Sequence, residues 1–280
     1  MTRRNDIIIK TIAIIFMIVV LAFTYLPIIV IALTSISNDL FGLSMTKPTL
    51  IWYETMWHSR SLMNAIIYTL QISICSTIIS IIFGTISAIG IHSLSKKLKQ
   101  KVIMLNNVPI LNTDIVSAVF LLIIFQLVGM IFGKSVFGFT TTLIAHVLFS
   151  TPYVILSVLP KLNSMNDNSI YEAAIDLGCS PTKTIYKVII PNVKTGIMTG
   201  GLLAFTMSID DFIITYFVTG KRQNFSTWLY GSLRTLRNGL WNQACAYNTL
   251  LIIITIVIVF GYQFVVIRKD KRSKANEKIS

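Results

Sequence analysis

The chain has 280 residues, of which 54% are hydrophobic and only 12% charged, and its mean hydropathy is +0.74. Those values exclude an ordinary soluble domain and indicate a polytopic membrane protein. The formal charge of +13 would suit a nucleic-acid partner, but the cations gather at the N-terminus, in alternate loops and at the C-terminal tail. That placement is the positive-inside bias of a membrane protein, so the basic charge reports topology.

Apolar runs over roughly 12–34, 64–91, 102–132, 137–159, 195–219 and 248–267 predict six transmembrane helices and an all-α integral membrane fold. Each is close to the ~20 residues that cross ~30 Å of hydrocarbon. Arg3, Arg4 and Lys10 flank the first run. From Ile12 to Leu33 it is too long for a leader's apolar core, and no small-residue cleavage site follows, so it predicts an uncleaved span. The segment 35–63 reads as an external loop whose Trp52, Tyr53 and Trp57 suit the membrane–water boundary. Lys96, Lys97, Lys99 and Lys101 place the next loop in the cytoplasm.

In the third run, Pro109 and the Asn112-Thr113-Asp114 cluster predict either a kink near Pro109 or a helix that begins only near Asp114. Asp114 is then an N-cap or a polar group on a pathway. The turn Gly133-Lys134-Ser135 imitates the end of a phosphate-binding loop, but Val128 stands where the required glycine would be. His146 lies alone in the fourth span and reads as a satisfied bundle residue; His58 and His92 are loop residues.

Between the fourth and fifth spans, residues 163–191 form a polar segment with two sets of helix signals. Ser169 and Glu172 have the spacing of a capping box. Gly178 follows as a left-handed terminator. Ser180 and Pro181 then supply an N-cap and a first-turn proline, and Pro191 is expected to stop the second helix. The prediction is a helix, a tight turn and a helix on the cytoplasmic side.

The fifth span carries Gly196, Gly200, Ala204 and Ser208 at every fourth position, a stripe suited to close helix packing. Near its outer end lie Asp210 and Asp211, about 100° apart on a regular helix, so both line one cavity only if the helix is interrupted. Acids inside a membrane cost about 2.5–3.5 kcal/mol each on insertion scales and usually face a polar pathway. The alternative is that they cap a broken helix or pair with a partner subunit. A cationic pathway would draw on the carboxylates and on the aromatic faces of Tyr25, Phe205, Phe212 and Tyr216. Lys221, Arg222, Arg234 and Arg237 run against the charge bias in the last external loop, as a solvated loop against headgroups or as contacts for an acidic partner. Beyond 267 the basic tail 268–280 returns to the cytoplasm, as does the N-terminus.

Glu172-Ala173-Ala174, Gly178, Val188, Ile190 and Pro191 resemble the EAA motif of membrane subunits in binding-protein-dependent ABC importers, with Ile190 and Cys179 where leucine and alanine are usual. That resemblance implies the six-span, type I importer (MetI-like) permease fold: one permease domain, 1–280, with a coupling loop at 163–191 that docks on a separate ATPase. Glu172, Ala173, Ala174, Gly178 and Pro191 would carry the coupling. The chain itself would have no catalytic, metal or cofactor site. Thr206-Met-Ser-Ile-Asp-Asp-Phe212, Phe217-Val-Thr-Gly220, Tyr25-Leu-Pro27 and Thr113-Asp114-Ile-Val116 are similar to the polyamine (spermidine/putrescine) branch of that family. This implies that Tyr25, Asp114, Asp210 and Asp211 touch a polyamine. It also implies as partners a PotB-type second permease, two ATPase copies and an extracytoplasmic polyamine-binding protein. The rival readings are an importer permease for another solute, of the iron, thiamine or phosphonate class, and a non-transport integral membrane protein.

Overall fold

A computed structural model of the chain describes residues 3–38, 48–164, 169–235 and 239–257, and among these every regular element is helical. In chain order they are α1 (Arg3–Ser35), α2 (Ile51–His58), α3 (Arg60–His92), α4 (Lys96–Leu111), α5 (Asp114–Ile131) and α6 (Phe139–Ser164). There follow α7 (Ser169–Asp176), α8 (Pro181–Thr184), a π-helical turn (Ile185–Ile189), α9 (Ile190–Asn192), α10 (Lys194–Asp210), α11 (Ile213–Val218) and α12 (Phe225–Thr235). The last described helix, α13, spans Leu240–Val257.

Lys10–Ser35 of α1, together with α3, α5, α6 and α13, are each long and apolar enough to cross a membrane, and the bent pair Pro181–Asn192 and Lys194–Asp210 brings the number to six. Three expected boundaries change. The run 102–132 is two helices, because the chain turns extended at Asn112 and Thr113 and α5 starts at Asp114. Pro109 lies inside α4 and does not end it. The run 195–219 breaks at Asp211. The last helix starts at Leu240, eight residues before the expected 248. Arg237, the 258–267 end of the last span and the tail 268–280 lie outside the described residues.

The chain divides into two compact units, residues 1–63 with 229–280, and residues 64–228. In the first, no residue in the apolar window of α1 is buried, as suits a helix facing lipid. Its C-terminal end is tied down instead. A helix leaves its last carbonyls without intrahelical partners, and here Asn242 of α13 donates to the carbonyls of Thr34 (3.2 Å) and Ser37 (2.9 Å). The Trp52 indole donates to Ser37 as well, at 2.8 Å, and Tyr53 shares a 2.9 Å hydrogen bond with Ser35. Two of the three expected boundary aromatics are therefore structural pegs, while Trp57 is exposed. Gly239 seats against Trp52 with φ +88°, and a Cβ there would lie 2.7 Å from the indole.

In the second unit, α3, α6 and α10, with Val193 just before α10, bury Ala88, Val154, Val158, Leu162 and Ala204 in one cluster. The small-residue stripe of α10 makes this contact possible. A Cβ on Gly196 would meet the Ser157 carbonyl at 2.8 Å, and one on Gly200 would meet Val154 Cα at 2.9 Å. A second cluster joins Ala118, Leu121 and Phe125 of α5 to Ala145 of α6 and to Ile214 and Val218 of α11.

Candidate functional site

The interruption of the fifth span is built by side chains. After Asp210 the backbone turns extended at Asp211 (φ −65°, ψ 128°), and α11 begins two residues later. The Asp211 carboxylate folds over the new N-terminus: Oδ1 accepts from Ile214 N (3.3 Å), and Oδ2 accepts from Thr215 N (2.8 Å) and Thr215 Oγ1 (2.6 Å). It satisfies amides that the break would otherwise orphan in hydrocarbon. Asn224 donates to the Asp211 carbonyl at 2.6 Å, and its own carbonyl accepts from Thr227 N at 2.9 Å as the N-cap of α12.

His146 reaches this knot from α6. Its Nδ1 is 2.7 Å from Ser208 Oγ and its Nε2 is 2.9 Å from Thr215 Oγ1, with Asp211 Oδ2 at 3.4 Å. Ser208 in turn meets Ser76 Oγ of α3 at 3.0 Å. With 1% of its side chain exposed, His146 is the satisfied bundle residue its isolation suggested. Thr215, Asn224 and Ser76 were not singled out from the sequence. Two of them carried a signal: Thr215 stands four residues after an acid, and Asn224 stands three before Thr227 in N-cap position.

Asp210 differs from its neighbour. It is the last residue of α10 and its side chain is exposed. Just beyond the break, the rings of Phe212 and the exposed Tyr216 pair at 5.5 Å between centres, tilted by 37°. An accessible carboxylate and an exposed aromatic face each attract cations. Asp114 is exposed in the first turn of α5, where the helix dipole favours an acid, and Thr113 holds the N-cap position. Asp114 therefore sits on the helix that packs against α11. Tyr25, exposed on α1, belongs to the other unit. Of the loop cations, Arg222 lies over the Tyr68 ring and Arg234 over Tyr230, each at 5.7 Å.

The hairpin forms its two helices. Gly178 has φ +82°, and the bonds Gly178 N to Ile175 O (2.8 Å) and Cys179 N to Ala174 O (3.0 Å) close α7 with a Schellman turn. Glu172 and Ala173 are exposed, whereas Ala174 is buried against its own chain. The Ser169 side chain of the expected capping box lies outside the described residues. Ser180 holds the N-cap position of α8 without a capping bond from its side chain. Pro191 does not stop the second helix. A proline clashes with the carbonyl four residues earlier, and the π turn just before it opens the ladder enough for the helix to continue to Asn192. The chain then bends by 71° into α10 at the fully buried Val193.

Residues 80–272 match the family described as binding-protein-dependent transport system inner membrane component. The chain belongs to that family. Its members are permeases of ABC importers, which work with an ATPase and a binding protein, and the family description places them in the inner membrane. Over 250 residues, 89% of this chain and 94% of the relative, it is 32% identical to the spermidine/putrescine transport system permease protein PotC of Haemophilus influenzae. It is 28% identical to PotC of Escherichia coli, covering 94% of this chain and 97% of that one. With the putrescine transport system permease protein PotI of Escherichia coli the identity is 27%, over 89% of each. Among solved structures, a bacterial ABC transporter that imports the acidic polysaccharide alginate matches 93% of this chain and 96% of its own with a TM-score of 0.71. At 15% identity that likeness concerns the fold, the type I importer permease fold.

Proposed function

We propose that this chain is the membrane-spanning permease subunit of an ATP-driven polyamine importer, taking spermidine or putrescine. The observation that carries the substrate class is the exposed Asp210 carboxylate at the break of a span, two residues before the first ring of the Phe212–Tyr216 pair. The relatives named for polyamine transport, similar over most of both chains, support it. The whole chain, 1–280, acts as one permease domain, with both termini and the tail 268–280 in the cytoplasm.

In this reading Tyr25, Asp114 and Asp210 face the polyamine, and Asp211 sits in the same wall while shaping the break. Alternating access exposes them first to the outside, where a polyamine-binding protein delivers cargo, and then to the cytoplasm. ATP is hydrolysed by two copies of a separate ATPase. The segment 163–191 couples to it through Glu172, Ala173 and Ala174, with Gly178 and Pro191 shaping the hairpin. A PotB-type permease completes the pathway.

Radiolabelled polyamine uptake in cells lacking this chain, with and without the wild-type copy restored, tests the reading. Restored uptake of spermidine or putrescine supports it, and an Asp210→Asn copy is expected to reduce that uptake about tenfold, the loss of one charge-assisted hydrogen bond. No deficit for either polyamine removes the substrate class.

A further inference from the structure

We propose that His146 is a positioning residue for the pathway: from a buried ring on α6, its Nε2–H orients the Thr215–Asp211 relay at the start of α11 and so sets where Asp210 points. The proposal rests on the transport reading above. Its two nitrogens grip opposite sides of the break, Nδ1 on Ser208 in the last turn of α10 and Nε2 on Thr215 in the first turn of α11. No other side chain described at the break bonds to side chains of both half-helices.

The proton count fixes a direction. The Thr215 hydroxyl has one proton and gives it to Asp211 Oδ2 at 2.6 Å. It must therefore accept at its oxygen, so His146 carries a proton on Nε2. The order is Nε2–H to Thr215 Oγ1, then Oγ1–H to Asp211, whose carboxylate also receives the α11 amides. Without the Nε2 donor the Thr215 oxygen is no longer held from α6, and the bond it gives to Asp211 loses its fixed direction. Asp210 is the residue immediately before that anchor, so its direction follows from the anchor's.

The test uses the assembled importer and two readouts. Uptake of radiolabelled spermidine and putrescine is measured with Asp210 in place. In parallel, an Asp210→Cys variant is labelled with a cationic, membrane-impermeant thiol reagent, with Cys75, Cys179 and Cys245 replaced by alanine. Glutamine's amide nitrogen reaches the Nε2 position, so His146→Gln is expected to keep labelling and uptake within about twofold of wild type, the scatter of a neutral change. Asparagine reaches only the Nδ1 position. His146→Asn is expected to shift the labelling rate and lower uptake by about tenfold at unchanged complex abundance, as for one lost buried hydrogen bond.

Equal behaviour of the two variants, both normal or both lost, overturns the proposal. Thr215→Val deletes the relaying hydroxyl at constant shape and is expected to copy His146→Asn. Normal labelling and uptake in Thr215→Val overturn the proposal even where neither His146 variant assembles. If the wild type takes up neither polyamine, the substrate reading fails, and the labelling comparison still decides the role of His146.

Discussion

Replacing Asp211 by alanine takes the acceptor away from the Ile214 and Thr215 amides and from the Thr215 hydroxyl in a buried place. Orphaned buried donors cost about 1–3 kcal/mol, so Asp211→Ala is expected to lower the melting temperature of the detergent-solubilised complex. Asp210→Ala, at an exposed position, is expected to leave it unchanged while reducing uptake. Equal melting shifts would refute the division of labour. The sequence placed both acids in the outer half of the fifth span and stated the condition for a shared site, an interrupted helix. It did not decide which acid caps and which faces out. That depends on His146, 65 positions before Asp211, and on Asn224 beyond the break, and no local periodicity links these to a pair of aspartates.

The α6–α10 contact is written in residues spaced by four, and here sequence and structure coincide. Gly200→Val would drive a Cβ into the Val154 backbone, which cannot yield as a flexible side chain does. Overpacking of this kind costs about 1–3 kcal/mol, and less folded complex is expected in membranes. Gly90→Ala on α3 is the control, because a Cβ there meets nothing within 4 Å. The hairpin was legible for the same reason: a left-handed glycine and an N1 proline act within a few residues, although the Ser180 side chain makes no capping bond. Where it departed from expectation, at Pro191, the departure was also local. A proline removes one hydrogen bond and demands room, and the helix found the room by widening one turn, which no propensity scale encodes. The split of the third apolar run at Asn112 was one of two stated alternatives, and Asp114 at the start of α5 resolves it.

At the scale of the whole importer, motion in the ATPase has to reach the spans through α7 to α10. Removing Glu172-Ala173-Ala174 is expected to abolish co-purification of the ATPase while the permease still inserts; recovery of an undiminished complex would sink the docking role. The π turn at Ile185–Ile189 has its own consequence on this scale. It holds one residue more than an α turn of the same reach, so the hairpin contains a spare residue. Deleting Val188 removes that residue: the turn closes with little change of rotation on either side, but the Pro191 ring meets the carbonyl four residues before it again. The variant is expected to insert but to hold less ATPase on co-purification; an undiminished complex would show that the wide turn is dispensable. The spare residue is thus slack let into the chain, room for a rigid ring beside the sharp bend that joins the exposed Glu172 face to the spans.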